Sequence, residues 1–366
     1  MISVFIERHP QLYFPDGDIA LLAVKEPLSH DGPPSFYVFR IHKFLLRHHS
    51  ETFANMLADA NSHTDNVYDG VPLVEMHGDK AEDLAQLLNF IYNPSSMTLK
   101  RHDPDAPIVV SGIIRLADKY CLQSLHDHLV KQVVSDWPTT LHEWDILQGE
   151  ISAILKTPST AAHHLYGDHP EDKALADLIP EPVSAILFAQ EFGCSEILPA
   201  AFYQLSRIKV QHDWTLRSDP DGKRVALARW SLLDKDNLVR YLRGYKELAD
   251  YFPAIRTFLS AGCTPFDDDL ANMDLDDNSC YVFLHRVFTI MWTAGRGSRR
   301  DPLHLLLLCL EVRNHTSDIA RSMGVRGDVG LCQECWDKLE EEIPQERKRL
   351  WDSLLQYFTS DINNSL

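Results

Sequence analysis

The chain has 366 residues, 45% of them hydrophobic and 24% charged, the balance of an ordinary folded protein with material for more than one core. Its formal net charge is −18, and so acidic a surface repels phosphate backbones, which argues against direct nucleic-acid binding. Residues 1–15 hold Glu7, Arg8, His9 and Pro10 and no long apolar core, and the longest apolar run, Leu303 to Leu310, is broken by His304 and too short for a bilayer. The expected setting is cytoplasmic or nuclear, away from membranes and with reduced thiols.

Met1 to Phe14 alternates loosely and carries Ile2, Val4, Phe5, Ile6, Leu12, Tyr13 and Phe14, a density of apolar side chains that asks for cover. Asp16-Gly17 is a turn signal, and the run from Asp18 to Val24 suits a strand. Pro27 to Pro34 reads as a loop, and Phe36 to Ile41, β-branched and aromatic, as a second strand. After His42 the spacing changes: Leu45, Leu46, Phe53, Met56 and Leu57 follow a helical period. Ser50 stands between two short helical runs and can cap the second, with Glu51 in its first turn. Residues 59–70 read as an exposed polar loop and Val71 to Met76 as a third short strand. A helix starting near Asp79 puts Leu84, Leu87, Leu88 and Ile91 on one face and stops before Pro94. A polar loop over 95–107 leads to a helical pair spanning Ile114 to Leu125.

Beyond Trp137-Pro138 no strand pattern stands out. Thr139 or Thr140 caps a helix with Leu141, Trp144, Ile151 and Leu155 inward. Residues 156–172 are loop-like, a helix follows to about Ile179, and Pro182 suits the first turn of the next. Ile186 to Gly193 echoes Ile114 to Cys121, each a helix, a one-residue break and a second helix. Cys121, Cys194 and Cys309 sit in apolar helical patterns and read as small core residues. The basic clusters Arg296, Arg299, Arg300 and Arg347, Lys348, Arg349 read as solvated faces or helix ends.

Three segments together resemble one family. His42, Leu46, Ser50, Phe53 and Met56 fall at steps of four, four, three and three; Leu87 to Tyr92 and Ile114 to Leu125 follow in order. This looks like the BTB/POZ domain, a protein–protein interaction fold, and the whole chain resembles basidiomycete fungal BTB proteins with a helical carboxyl-terminal region. The resemblance implies an α+β architecture: a small sheet wrapped by helices over 16–136, a helical connector over 137–180 and a mostly α-helical region over 181–366. It makes Leu46, Ser50, Phe53, Met56, Tyr92, Ala117 and Tyr120 the fold signature. It sets Asp18, His42 and Lys43 near a dimer or partner groove, with Lys43 where the family often has Arg. An ordinary surface pair is the plain reading of Asp18 and Lys43, and a histidine bridging strand and helix the plain reading of His42. Residues 1–15 would be a segment exchanged between protomers or a strap on their own subunit.

Cys332-Gln333-Glu334-Cys335 is a CxxC that suits zinc, with Cys263 and Cys280 as the second pair of ligands, or His285, His304 and His315 as substitutes. Free thiols and a redox dithiol are the competing readings, and no other cofactor is expected. Asp267, Asp268, Asp269, Asp274, Asp276 and Asp277 lack the spacing of an EF-hand and read as an acidic loop. There is no G-x-S-x-G, Walker loop, G-x-G-x-x-G or H-E-x-x-H. The expected function is therefore non-catalytic: homodimerisation and recruitment of protein partners. The alternatives are a cullin-type ubiquitin ligase adaptor and a transcriptional co-regulator without its own DNA-binding domain. The adaptor's contact, an apolar residue followed two positions later by Glu, is not present in residues 59–70.

Overall fold

The structure is a computed structural model that describes residues 5–25, 35–63, 66–96, 99–156, 174–218, 225–259, 280, 301–310 and 333–359. The chain divides into two compact units, Met1–Asp136 and Trp137–Leu366.

The first unit is α+β. Its strands are β1 (Phe5–Tyr13), β2 (Ile19–Lys25), β3 (Ser35–Ile41), β4 (Val67–Tyr68) and β5 (Val71–Lys80). Its helices are α1 (Lys43–His49), α2 (Glu51–His63), α3 (Ala81–Tyr92), α4 (Ala106–Lys119) and α5 (Gln123–Val134). The strands form one sheet in the order β1-β3-β2-β5-β4. β2 is central, which explains why Ile-Ala-Leu-Leu-Ala-Val does not alternate: both of its faces are covered. One face carries Ile19, Leu21, Phe39 and Ile41, all fully buried, and α3 packs against β2. The other gathers Ala20, Leu22, Val38 and Val71, with Tyr13, Phe36, Tyr68 and Leu73 at the rim.

Two sequence expectations change here. The sheet has five strands instead of three, because the amino-terminal segment supplies β1, paired in parallel with β3 of its own chain, and a two-residue strand precedes β5. The supposed loop at 59–63 is the last turn and more of α2, which runs to His63. A helix end rich in Asp, Asn and Ser imitates a loop when composition is the signal.

The second unit is helical: α6 (Leu141–Lys156), α7 (Pro182–Glu191), α8 (Leu198–Arg207), α9 (Lys235–Leu259), α10 over 302–310 and α11 (Gln333–Thr359). Thr140 Oγ1 accepts the Glu143 N–H at 3.2 Å while the Glu143 carboxylate accepts the Thr140 N–H at 3.1 Å, a reciprocal cap for α6. Among the described side chains of α6, Trp144 and Leu147 are buried and Leu141 and Ile151 half-buried; the Leu155 side chain lies outside them. Trp144 meets the Tyr203 ring edge-on at 5.1 Å, and Phe202 stacks on Phe358 at 5.3 Å. A Cβ at Gly244 would overlap the Phe358 ring, so the close approach of α9 and α11 requires glycine there. The helix expected before Ile179 is, among residues 174–181, only the 3-10 turn Leu175–Asp177.

Buried polar side chains pin this unit. The Glu181 carboxylate accepts the N–H groups of Val183 (3.0 Å), Ser184 (2.7 Å) and Arg229 (3.0 Å). Arg347 donates to both oxygens of Asp145 (3.1 and 2.6 Å) and to the Leu303 carbonyl (3.1 Å). That overturns its reading as part of a solvated basic face: Arg347 is buried, and a buried guanidinium needs such partners.

The repeated break is real. Cys121 and Gly193 take left-handed φ values of 54° and 74°. At each break the following N–H reaches back to a helix carbonyl, Leu122 to Ala117 at 2.7 Å and Cys194 to Ala189 at 2.8 Å. Cys121 is consequently exposed and not a core residue, whereas Cys194 and Cys309 are buried. Burial raises both buried thiols' pKa values.

Candidate functional site

Three groups of residues in the first unit bear on docking. The first surrounds the start of α1. Its N-cap, His42, makes no side-chain capping bond. Asp18 caps instead, its Oδ1 accepting the Lys43 N–H at 2.7 Å, while the Asp18 N–H donates to the Ile41 carbonyl at 3.0 Å. The His42 N–H donates to the Tyr92 hydroxyl at 2.9 Å, and His42 Nδ1 lies 2.9 Å from that same oxygen. Its oxygen having accepted that bond, the hydroxyl still has its own O–H to donate to Nδ1. Phe14 stacks on Tyr92 at 4.8 Å, and His42 Nε2 lies 3.4 Å from the exposed Asp16 carboxylate. Burial raises the Tyr92 phenol above its ordinary value, so it stays protonated for this task. Asp18, His42 and Lys43 thus meet where β3, α1 and α3 come together.

The second group holds the helices to the sheet. Ser50 Oγ accepts the Phe53 N–H at 3.0 Å and donates to the Tyr120 carbonyl at 2.6 Å. Phe53 stacks on Tyr120 at 4.1 Å. The Tyr120 hydroxyl donates to the buried Asp79, which also receives Lys119 Nζ at 2.5 Å. Burial, then Asp79, push the Tyr120 phenol far above its ordinary range. Leu46, Phe53 and Ala117 are fully buried, and Met56 is half-buried.

The third group is the β1 edge, which sequence reasoning left without partners. Arg8 donates to Asp69 at 2.5 Å, the Tyr13 hydroxyl donates to the same carboxylate, and Lys25 donates to Glu7 at 2.8 Å. Asp69 and Gly70 both have positive φ (49° and 80°), the turn joining β4 to β5. Asp-Gly between apolar runs is a hairpin signal that could have revealed this strand pair. Phe5 on β1 is 59% exposed, Val67 on β4 60% and, elsewhere, Phe44 on α1 73%.

Of the zinc candidates, Cys280 and Cys335 are buried, while Cys263 and Cys332 lie outside the described residues. Among the described residues no group of three or more His, Cys, Asp or Glu could hold a metal ion, and no helix is long and apolar enough to cross a membrane.

Against known families, residues 37–136 match the model described as BTB/POZ domain. The match takes in β3 through α5 and leaves β1 and β2 before it. Comparison with curated proteins gives no match.

Proposed function

Because residues 37–136 of this chain match the BTB/POZ domain, a protein–protein interaction module, we propose that the chain works without catalysis, docking protein partners and pairing with a second copy of itself. The observation that supports self-pairing is the β1 edge. Among the described residues β1 bonds β3 on one side only and ends the sheet, and it carries Phe5 and Ile6 exposed. An exposed strand edge with apolar side chains is a template for another strand, and proteins that keep one either blunt it or use it. The amino-terminal segment then serves as the place where two copies meet.

Light scattering on the full chain tests this. Wild type should show twice the monomer mass, and Phe5→Asp with Ile6→Asp should return it to one. A wild-type monomer at working concentration removes self-pairing from the proposal.

The adaptor reading has less support. The nearest apolar–x–acidic step before β5 is Val67 to Asp69, and that carboxylate is already occupied by Arg8 and Tyr13. Co-precipitation with a cullin would restore it.

A further inference from the structure

One face of α9 rests on α11. Tyr241, Leu248 and Tyr251 are buried, Gly244 lies against the Phe358 ring, and the Tyr251 hydroxyl donates to Glu346 at 2.7 Å. Beside that face run Leu238, Leu242, Tyr245 and Ala249, at steps of four, three and four, the spacing of a helix–helix seam. Leu238 is 42% exposed and Leu242 54%, while Tyr245 and Ala249 are half-buried. A single leucine in water is ordinary, but two of them one turn apart in such a seam form an apolar patch. The patch is set among cations. Up to Lys246 the helix carries Lys235, Arg240, Arg243 and Lys246 against Asp236 alone, in a chain of net charge −18. Lys235 and Lys246 are exposed, seven before and four after Leu242, so helical geometry ranges both beside it. The helix dipole does not account for them. It favours cations at the C-terminal end, and these stand in the first half of Lys235–Leu259, with Lys235 at its first position.

We propose that this seam of α9 docks an acidic amphipathic helix of a partner protein, its apolar stripe covering Leu238 and Leu242 and its carboxylates meeting Lys235 and Lys246. Charge selects the occupant. A second copy laid parallel would set Lys235 and Lys246 beside their twins. One laid antiparallel would gather Arg243 and Lys246 of both copies about the two-fold axis. Like charges so placed cost free energy, whereas a row of acids gains from them. The face belongs to the second unit, outside residues 37–136, and its occupant is separate from the self-pairing proposed at β1.

The probe is a labelled synthetic helical peptide with Leu at alternating steps of three and four and Glu at the flanking positions, where mutual repulsion keeps it from pairing with itself. It is titrated with the full chain by fluorescence anisotropy. One control peptide has Lys in place of every Glu, and another has Ser in place of every Leu. Wild type should bind the acidic apolar peptide only, and more weakly as salt rises. Leu242→Ser and Lys246→Glu should each weaken binding about tenfold, a usual effect at an interface anchor, and Val67→Ser in the first unit should not. Both substituted side chains are exposed, and unchanged circular dichroism would show that the variants fold. No binding by wild type, or binding indifferent to Leu242 and Lys246, overturns the inference. A mass by light scattering that falls with Leu242→Ser also overturns it, since a second copy then covers the seam. So does binding that appears only after Asp267, Asp268 and Asp269 are changed to Asn, since this chain's own acids then fill the place. A peptide that fails while the β1-dependent dimer persists removes the acidic partner and leaves self-pairing untouched.

Discussion

His9 shows how a single side chain can set a condition on the fold. It sits where the β1–β3 register slips between Arg8 and Tyr13. Its Nδ1 accepts the N–H groups of Gln11 (3.3 Å) and Leu12 (3.1 Å), and its ring stacks on the buried Phe39 at 4.9 Å. Tyr37 meets it edge-on, and beyond Tyr37 lies the Lys25–Glu7 pair. Both accepted bonds need an unprotonated Nδ1, and burial lowers the His9 pKa below 6.5. The unfolded chain therefore takes up this proton first. The His9 contribution is whole above about pH 6.5, the unfolded value, and is lost as pH falls through the depressed folded one. Amide exchange of β1 should speed up relative to β2 between neutral pH and mild acid, and His9→Phe should flatten that dependence. Equal acid sensitivity in the two proteins would remove the role. None of this was legible from the residue itself: a histidine between arginine and proline carries no sign of the bulge. His42 was more legible, because the change from strand to helix spacing at that position marks a junction, and a side chain at a junction has elements to bridge. Cys121 misled, since apolar periodicity does not register a left-handed break.

The elements of the first unit are held at few points, and Tyr120 is the most connected. It joins the end of α4 to α2 through Phe53 and Ser50, and to the end of β5 through Asp79. Tyr120→Phe keeps the stack and removes one donor from a buried carboxylate. Lys119 still reaches Asp79, which moderates the loss. The expected cost is about 1–3 kcal/mol, the usual penalty for depriving a buried group of a bond. A chemical-denaturation midpoint measures it, and a shift indistinguishable from zero would mean that Lys119 alone satisfies Asp79. The spacing of Ser50, Phe53 and Tyr120 made the helical elements readable, because buried faces repeat at helical intervals. The edge strands were harder. β1 has one covered side and little alternation, and β4 has two residues, so neither produces a period to detect. The loose alternation of Met1 to Phe14 hinted at β1, and the hairpin dipeptide Asp69-Gly70 at β4.

For the molecule as a whole, the two units differ in how they offset the cost of ordering. The first spreads apolar residues over both faces of a sheet. The second depends on helix faces tied by buried charged side chains, Arg347 held by the part-exposed Asp145 and Glu181 by three backbone N–H groups. Removing Asp145 strands the buried Arg347 guanidinium, whereas removing Arg347 leaves a carboxylate that water can reach. The Asp145–Arg347 tie was not legible because it joins residues some two hundred positions apart. Cysteine spacing raises another tie, a zinc ion held by Cys263, Cys280, Cys332 and Cys335. Thiolate–zinc bonds form in the folded chain, so bound metal adds directly to stability. With zinc in place, metal analysis of the purified chain gives close to one ion per molecule. Cys332→Ser with Cys335→Ser then releases it, and a strong chelator lowers the wild-type melting temperature while leaving the variant's unchanged. A chain purified with zinc in the medium but carrying none would leave these cysteines as thiols. The burial of Cys280 and Cys335 would then be packing of small apolar side chains, as for Cys194 and Cys309.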